Sequence, residues 1–207
     1  MAELISVTIN PAAWDSALAK LGRDVGTAAM RAINSTATSA KAAIVPVVAQ
    51  DMNSTESATD RKVRIREATP STLSAMLYAS RGRVPLIAFR ATGPNPSRGR
   101  GNGVTVTMPA LGGSSGLVTR TAVNFPHAFL ARVPFKGGRH LGVFERRLGA
   151  NRRGPKPNRS QLPIWQRYGP AVSAFFEARL PIAVARATAV LPGNFAQEVQ
   201  ALIAQSA

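Results

Sequence analysis

The sequence predicts an α+β protein in which a long N-terminal helix packs on a mostly antiparallel, twisted sheet, with returning C-terminal helices and two long basic loops. The spacing of apolar residues in three segments of the chain predicts this order of helix, sheet and helix. Apolar residues recur every three or four positions in segment 1–50, alternate with polar residues in segment 61–147, and return to helical spacing in segment 168–206. With 207 residues, 45% of them hydrophobic, the chain can bury a core, and we expect a single domain spanning 1–207.

The first segment has the signals of a helix. Asn10 suits the N-cap position and Pro11 the first turn, and an apolar stripe rich in alanine runs from Trp14 to Ala40. Small side chains allow close approach of a neighbouring element. We therefore expect this helix to pack against the sheet or against a neighbouring subunit, and a bulky residue at Ala32 to disturb folding or assembly.

The second segment contains about six or seven short strands. Gly and Pro clusters separate the strand-like runs, and no helical pattern lies between them, which favours antiparallel hairpins. The runs are KVRIREA, TLSAMLYAS, RVPLIAFRA, GVTVTMP, LVTRTAV, HAFLARVPF and HLGVFERR. In the third segment, Pro181 is expected to kink the helix and LPGN at 191–194 to break it.

The positive charge is concentrated in the middle of the chain. The net charge is +16, and residues 61–167 hold 20 Lys and Arg against two acidic residues, Glu67 and Glu145. Such a field attracts polyanions. A solvated basic surface is the alternative, but the scarcity of acids over about a hundred residues favours an anionic partner.

Two basic loops, 91–103 and 148–161, interrupt the sheet. They are rich in Gly, Pro, Asn and Ser, so apolar burial cannot offset the entropy of ordering them. We expect flexible arms that become ordered on DNA or on an acidic protein neighbour; surface loops with incidental arginines are the alternative. The candidate contact residues are Arg98, Arg100, Arg146, Arg147, Arg152, Arg153, Lys156 and Arg159.

Arg146 and Arg147 allow two interpretations. They end a predicted strand beside Glu145, so an ordinary surface ion pair and a phosphate clamp are both open. The aromatic residues near the basic loops are expected in the core, so nucleic-acid contact would be made by arginines to phosphates. These aromatic residues are Phe89, Phe125, Phe129, Phe135, Phe144 and Trp165, and the run Leu162, Pro163, Ile164 and Tyr168 is expected to return the chain to the core.

Catalytic and metal-binding patterns are weak. GGSSG at 112–116 satisfies G-x-S-x-G, but a strand-like run follows it where a helix is required. His127 and His140 have no carboxylate at helical spacing, and the absence of cysteine excludes disulfides and thiolate metal sites. No leader pattern and no membrane-length apolar run is present. We expect no enzyme activity, no cofactor, no metal and no membrane association.

Four stretches, in order and spacing across residues 25–190, resemble the phage minor tail protein Z family. They are RAINSTATSA (31–40), VRIREATPSTLSAMLYASRGRVPLIAF (63–89), HAFLARVPFKGGRHLGVFERR (127–147) and LPIWQRYGPAVSAFF (162–176). The resemblance implies a structural virion protein that completes the head-proximal end of a long non-contractile siphophage tail. It implies that the protein joins the tail to the head connector and positions the genome end for ejection.

The same resemblance implies the partners and the location. The partners would be the tail terminator, the head completion protein and further copies in a homo-hexameric ring, with genomic DNA phosphates as a further contact. The protein would reside in the virion and, during assembly, in the host cytoplasm. From charge alone, the alternative is a non-specific basic nucleic-acid-binding protein.

Overall fold

The computed structural model describes residues 5–8, 24–94, 103–109, 120–135, 138–146 and 164–206. The helices are α1 (Asp24–Met52), α2 (Glu56–Asp60) and α3 (Val172–Ser206), and a 3-10 turn spans Leu86–Phe89. The strands are β1 (Ile5–Thr8), β2 (Val63–Arg66), β3 (Ser74–Ala79), β4 (Arg83–Pro85), β5 (Val104–Pro109), β6 (Arg120–Phe125), β7 (Ala128–Phe135), β8 (Gly138–Arg146), β9 (Ile164–Gln166) and β10 (Tyr168–Ala171).

The α+β prediction is confirmed. Every strand pair in the described ranges is antiparallel, and the seven strand-like runs correspond to β2 through β8. The described strands form four small sheets in place of one, with orders β1-β3-β2, β10-β4, β5-β6 and β7-β8-β9. β1 lies at the start of the segment predicted as helix, and no described helix is apolar enough over a sufficient length to cross a bilayer.

The chain contacts divide into two compact units that interleave in sequence. Unit 1 comprises residues 1–48, 59–81 and 172–207, and unit 2 comprises 49–58 and 82–171. Unit 2 holds 15 Lys and Arg against three acidic residues, so it carries a net charge of +12 of the total +16. The excess charge of the middle segment is therefore mostly a property of unit 2.

The core of unit 1 lies between α1, α3 and the β1-β3-β2 sheet. Ile33 and Ala37 of α1 are buried with Ala75 of β3. Ala32 is fully buried beside Phe195 of α3. The alanine stripe of α1 thus packs on the sheet and on α3, as close approach of small side chains allows.

Helix α3 is continuous from Val172 to Ser206, so the predicted break at 191–194 is wrong. The physical reason is tertiary packing of the residues that follow Gly193. Asn194 donates from Nδ2 to the buried Thr36 hydroxyl at 2.9 Å, and Phe195 is buried against α1. These contacts offset the low helix propensity of Pro192 and Gly193.

Asn34 on α1 holds the connection between β2 and β3. Its Nδ2 donates to the carbonyl of buried Ala68 at 3.2 Å, and its Oδ1 accepts from the Ala68 amide at 2.7 Å. We expect Asn34→Ala to lower the free energy of unfolding by about 1–3 kcal/mol, because both backbone groups lose their partner. Urea unfolding measures this change.

The matched control is Thr38→Ala, which removes an exposed hydroxyl bonded only to the Asn34 carbonyl. We expect it to change the free energy of unfolding by less than about 0.5 kcal/mol. Equal effects of the two substitutions would contradict the proposed role of Asn34.

In unit 2 the small sheets meet at the 3-10 turn. Leu86, Ala88 and Phe89 of this turn are buried, and the turn contacts β4, β5, β8 and β10. Arg90 ends it in the left-handed region, with φ 52°. The turn is thus the structural centre on which the strands carrying the candidate site rest.

Candidate functional site

The structure places one of the eight predicted contact residues. Arg146 is the last residue of β8, and the other seven lie outside the described residues. The GGSSG pattern at 112–116 also lies outside them. What the structure does describe is the base from which each basic loop leaves unit 2.

Both basic loops are closed by antiparallel pairs. Arg146 of β8 lies opposite Ile164 of β9, so the segment containing the second basic loop leaves and re-enters the sheet at neighbouring positions. At the first basic loop, Thr92 and Thr105 exchange two backbone hydrogen bonds of 2.9 and 2.8 Å. The charges on each loop are therefore tethered at both ends to a fixed place on unit 2.

The two loop bases are close together. The Leu130 amide of β7 donates to the carbonyl of Pro94 at 3.0 Å, and Leu130 lies opposite Val143 of β8. Arg146 is three residues farther along β8. With about 3.4 Å per residue and about 4.8 Å between strands, the bases lie within roughly 20 Å of each other.

Arg167, between β9 and β10, contacts residues of β6, β8 and the 3-10 turn. Its Nε and Nη2 both contact Oε2 of Glu145, and its guanidinium lies over the ring of Phe125, 5.9 Å from the centroid. Its amide donates to the carbonyl of Val143 at 2.8 Å, and its carbonyl accepts from the Leu86 amide at 3.1 Å. Arg167 therefore links β8 to the 3-10 turn.

The sequence leaves two interpretations open for Arg146 and Arg147, one of them an ion pair with Glu145, and the side chains of both lie outside what the structure describes. The described partner of Glu145 is Arg167. The antiparallel register explains this pairing. Trp165 lies opposite Glu145, which brings Arg167 within reach although it is 22 residues away in the chain. A register between two strands separated by a long loop leaves no local signal in the sequence.

Exposed apolar side chains lie next to this ion pair. Trp165 is 55% exposed, and Ile164 of β9 and Tyr168 of β10 are each 47% exposed. Trp165 and Ile164 point to opposite faces of β9 because side chains alternate along a strand. We call the Trp165 indole and the residues that line one cavity with it, Glu145, Gln166 and Arg167, the Trp165 surface. The expectation that Trp165, Ile164 and Tyr168 pack in the core is wrong, because β9 is an edge strand of the described β7-β8-β9 sheet and β10 belongs to a described sheet of two strands.

The other aromatic residues follow the prediction more closely. Phe89 and Phe144 are buried, and Phe125 and Phe129 are partly buried. The burial of Phe135 lies outside what the structure describes. Among the aromatic residues predicted for the core whose burial is described, Trp165 of β9 is thus the exposed one.

A cavity of about 330 Å³ opens at this surface, lined by Glu145, Trp165, Gln166 and Arg167. The Gln166 side chain is held in place by two contacts. Its Nε2 is 2.8 Å from Nε2 of His140, and its Oε1 accepts from the Tyr168 hydroxyl at 3.2 Å. The lining thus combines a fixed amide, an ion pair and an exposed indole.

Gly142 of β8 makes room for this arrangement. A Cβ on Gly142 would lie 2.8 Å from Cε2 of Phe144 and 3.4 Å from Nε2 of Gln166. Among the described residues, no group of three His, Asp or Glu side chains could hold a metal ion. Ile164 pairs with Arg146 where the chain returns from the second basic loop, so the exposed Trp165 and its fixed polar neighbours lie at the base of that loop.

The comparison with protein families gives one match. The model of a family described as prophage minor tail protein Z (GPZ) matches residues 15–204. This range contains α1, α2, every described strand except β1, and α3 up to residue 204. No curated protein and no solved structure matches the chain.

Proposed function

The chain belongs to the prophage minor tail protein Z family, and on this premise we propose that it completes the head-proximal end of a long non-contractile tail. As a minor tail protein it has a structural role in a phage tail, and other tail or head proteins are its partners. The finer proposal is that it joins the tail to the head connector and positions the genome end. The family match over nearly the whole chain is the observation that carries the proposal.

In this proposal the protein forms a homo-hexameric ring that contacts the tail terminator and the head completion protein. A ring brings the basic loops of all copies to one axis, so that each copy contributes a few phosphate contacts to the genome end. The concentration of charge in unit 2 supports such a contact. Assembly takes place in the host cytoplasm before the virion is complete.

The experiment that tests this function is quantitative mass spectrometry of purified particles, with the tail tube protein as the copy-number standard. We expect about six copies per particle, because the proposal places one homo-hexameric ring in each tail. A phage lacking the gene should give heads and tails that fail to join into infectious particles. Absence of the protein from wild-type particles would refute the proposal.

The Trp165 surface is the part of unit 2 best suited to a protein neighbour. A partly exposed indole bordered by polar groups is typical of interface residues that contribute strongly to binding. We expect Trp165→Ser to lower incorporation into particles by about tenfold or more, since losing such a contact costs about 2 kcal/mol. Complementation of a gene-deleted phage, followed by mass spectrometry of the particles, measures this.

The matched control is Ile203→Ser, which removes a side chain of similar exposure, 53%, from α3 in unit 1. Both variants should keep the wild-type melting temperature because neither side chain is buried. Normal incorporation of Trp165→Ser, or equal losses for the two variants, would show that the Trp165 surface is not the docking site.

A second function, non-specific nucleic-acid binding, is favoured by one observation: the net charge of +12 on unit 2. In that case the isolated protein binds duplex DNA tightly, and binding weakens steeply with salt. The same particle measurement separates the two functions, because a nucleic-acid-binding protein with no tail role is not retained at fixed stoichiometry in purified virions.

A further inference from the structure

Two exposed arginines lie on one face of β2 in unit 1, and a lysine precedes them in the turn before the strand. We propose that this row, Lys62, Arg64 and Arg66, binds the phosphate backbone of double-stranded DNA. This proposal rests on the proposed function in one respect only: the DNA that the row binds is taken to be the phage genome.

The register of β2 fixes the direction of the two arginines. Val63 is buried and Ile65 packs against the core cluster around Ile33, whereas the alternate residues Arg64 and Arg66 are exposed. Because side chains alternate along a strand, a slip of one residue would bury both arginines and expose both apolar residues. The fold therefore holds the guanidinium groups on the solvent side.

Lys62 lies in the turn that precedes β2 and is partly buried. The Ser80 amide donates to the Lys62 carbonyl at 2.8 Å, and the Lys62 amide donates to the Thr59 carbonyl at 2.9 Å. These bonds hold the Lys62 backbone at the start of β2. Its cation is thus tethered two residues before Arg64, and Arg64 and Arg66 follow each other about 6.7 Å apart along the edge of the sheet.

Neighbouring acids do not neutralise the row. In the described part of unit 1, Asp60 pairs with Lys41 at 2.9 Å and Glu198 pairs with Arg31 at 3.9 Å. Glu67 follows Arg66 beyond the end of β2 and is exposed, and no described ion pair joins it to the row. Within the described residues, neither Arg64 nor Arg66 has an ion pair, so their charges face water.

Two features favour DNA over an acidic protein as the occupant. A regular row of like charges matches a polymer that repeats its phosphate at regular intervals, whereas a protein surface presents acids irregularly. The cross-strand partners of Arg64 and Arg66 on this face, Tyr78 and Met76, are partly buried, and the large exposed apolar residues described in unit 1, Ile182, Val184 and Ile203, are all on α3. Contacts to phosphates alone do not depend on the base sequence, so the row would bind a genome end whatever its sequence.

A competing explanation is protection of an edge. β2 is an edge strand of its described sheet, and exposed Lys and Arg on edge strands prevent pairing with other chains. That explanation predicts that loss of the charges causes aggregation and leaves DNA binding unchanged. The two explanations therefore differ in a measurable way.

The test is binding of a mixed-sequence duplex by the full-length protein, followed by fluorescence anisotropy between about 50 and 200 mM salt. The row variant is Lys62→Ser, Arg64→Ser and Arg66→Ser together. We expect its slope of log affinity against log salt to be shallower by about two to three, with affinity at low salt lower by about tenfold or more, since each phosphate contact adds about one to the slope. The variant Arg64→Lys with Arg66→Lys keeps the charge and should keep the wild-type slope.

Thermal melting of each variant checks that the fold is retained. An unchanged slope in the folded row variant overturns the proposal, and aggregation of that variant by size exclusion would then assign the row to edge protection. Retained DNA binding with loss of an acidic virion protein from the assembly also overturns it. The proposed function is judged separately by copy number in particles, so either proposal can fail while the other stands.

Discussion

Replacing Arg152, Arg153, Lys156 and Arg159 with serine is expected to lower the yield of infectious particles by about a hundredfold, with no loss of thermal stability. Four contacts to an anionic partner at about 0.7 kcal/mol each amount to about 3 kcal/mol, which corresponds to that factor. Stability should not change, because none of the four falls in an apolar period and the segment that holds them is closed by the pair of Arg146 and Ile164.

Plaque counts from a complemented gene-deleted phage give the first quantity, and thermal melting of the purified variant gives the second. The matched control changes the three arginines to lysine and keeps Lys156, so that charge is retained while the guanidinium geometry is lost. Restored infectivity in the control assigns the effect to charge. A clear drop in melting temperature of the serine variant would instead show that the loop supports the fold, and unchanged infectivity would show that its cations are incidental.

The strands that the sequence predicts lie in strand-like runs of seven to nine residues separated by Gly and Pro clusters. β5 alternates buried Val104 and Val106 with threonines, and β2 alternates Val63 with exposed arginines. By contrast, β9 and β10 are separated by one residue in the run LPIWQRYGPA, where Pro163, Gly169 and Pro170 interrupt any alternation. A local pattern cannot reveal a strand that exists because its partner strand is present.

The exposure of the Trp165 surface was missed for the same reason. The run LPIWQRY is apolar enough to suggest core packing, yet Trp165 and Ile164 lie on an edge strand. The sequence offers one signal of this exposure, which is the position of the run in the chain. The run lies between a 14-residue basic loop and Gly169, so few neighbouring residues are available to cover both of its faces. Exposed aromatic residues next to basic loops are easier to recognise once the strand order is known.

The sequence did predict where the charge lies along the chain, but not how it divides between compact units. Arg64 and Arg66 belong to unit 1, whereas both basic loops belong to unit 2. Both sets are rich in basic residues. Only contacts between segments that are distant in the chain assign them to different compact units. DNA contact by Arg64 and Arg66, and contact of the basic loops with DNA or with an acidic protein neighbour, are therefore separate proposals, each with its own variants.

Gly169→Val is expected to destabilise the protein by about 3 kcal/mol or more, because the new side chain overpacks the centre of unit 2. A Cβ on Gly169 would lie 2.5 Å from Cε2 and 2.9 Å from Cζ of Phe89. Phe89 is fully buried in the 3-10 turn, so its ring has no open space to enter. Urea unfolding of the purified variant measures the loss.

The damage should extend to the candidate site. Displacing the 3-10 turn weakens the bond from the Leu86 amide to the Arg167 carbonyl, and Arg167 carries the ion pair with Glu145 beside Trp165. We therefore expect Gly169→Val to reduce incorporation into particles as Trp165→Ser does, but with a lowered melting temperature. Comparing the two variants distinguishes a loss of incorporation caused by displacement of the 3-10 turn from one caused by loss of the Trp165 side chain.

Two further variants test the cause. Phe89→Leu combined with Gly169→Ala should recover part of the stability lost by Gly169→Ala alone, because a smaller side chain relieves the overlap. Gly193→Ala in α3 is the control glycine: a Cβ there meets nothing within 4 Å, so alanine should stabilise the helix by about 0.5–1 kcal/mol. If Gly169→Ala were as stable as the wild type, close packing of β10 on Phe89 would not be what positions Arg167 and the Trp165 surface.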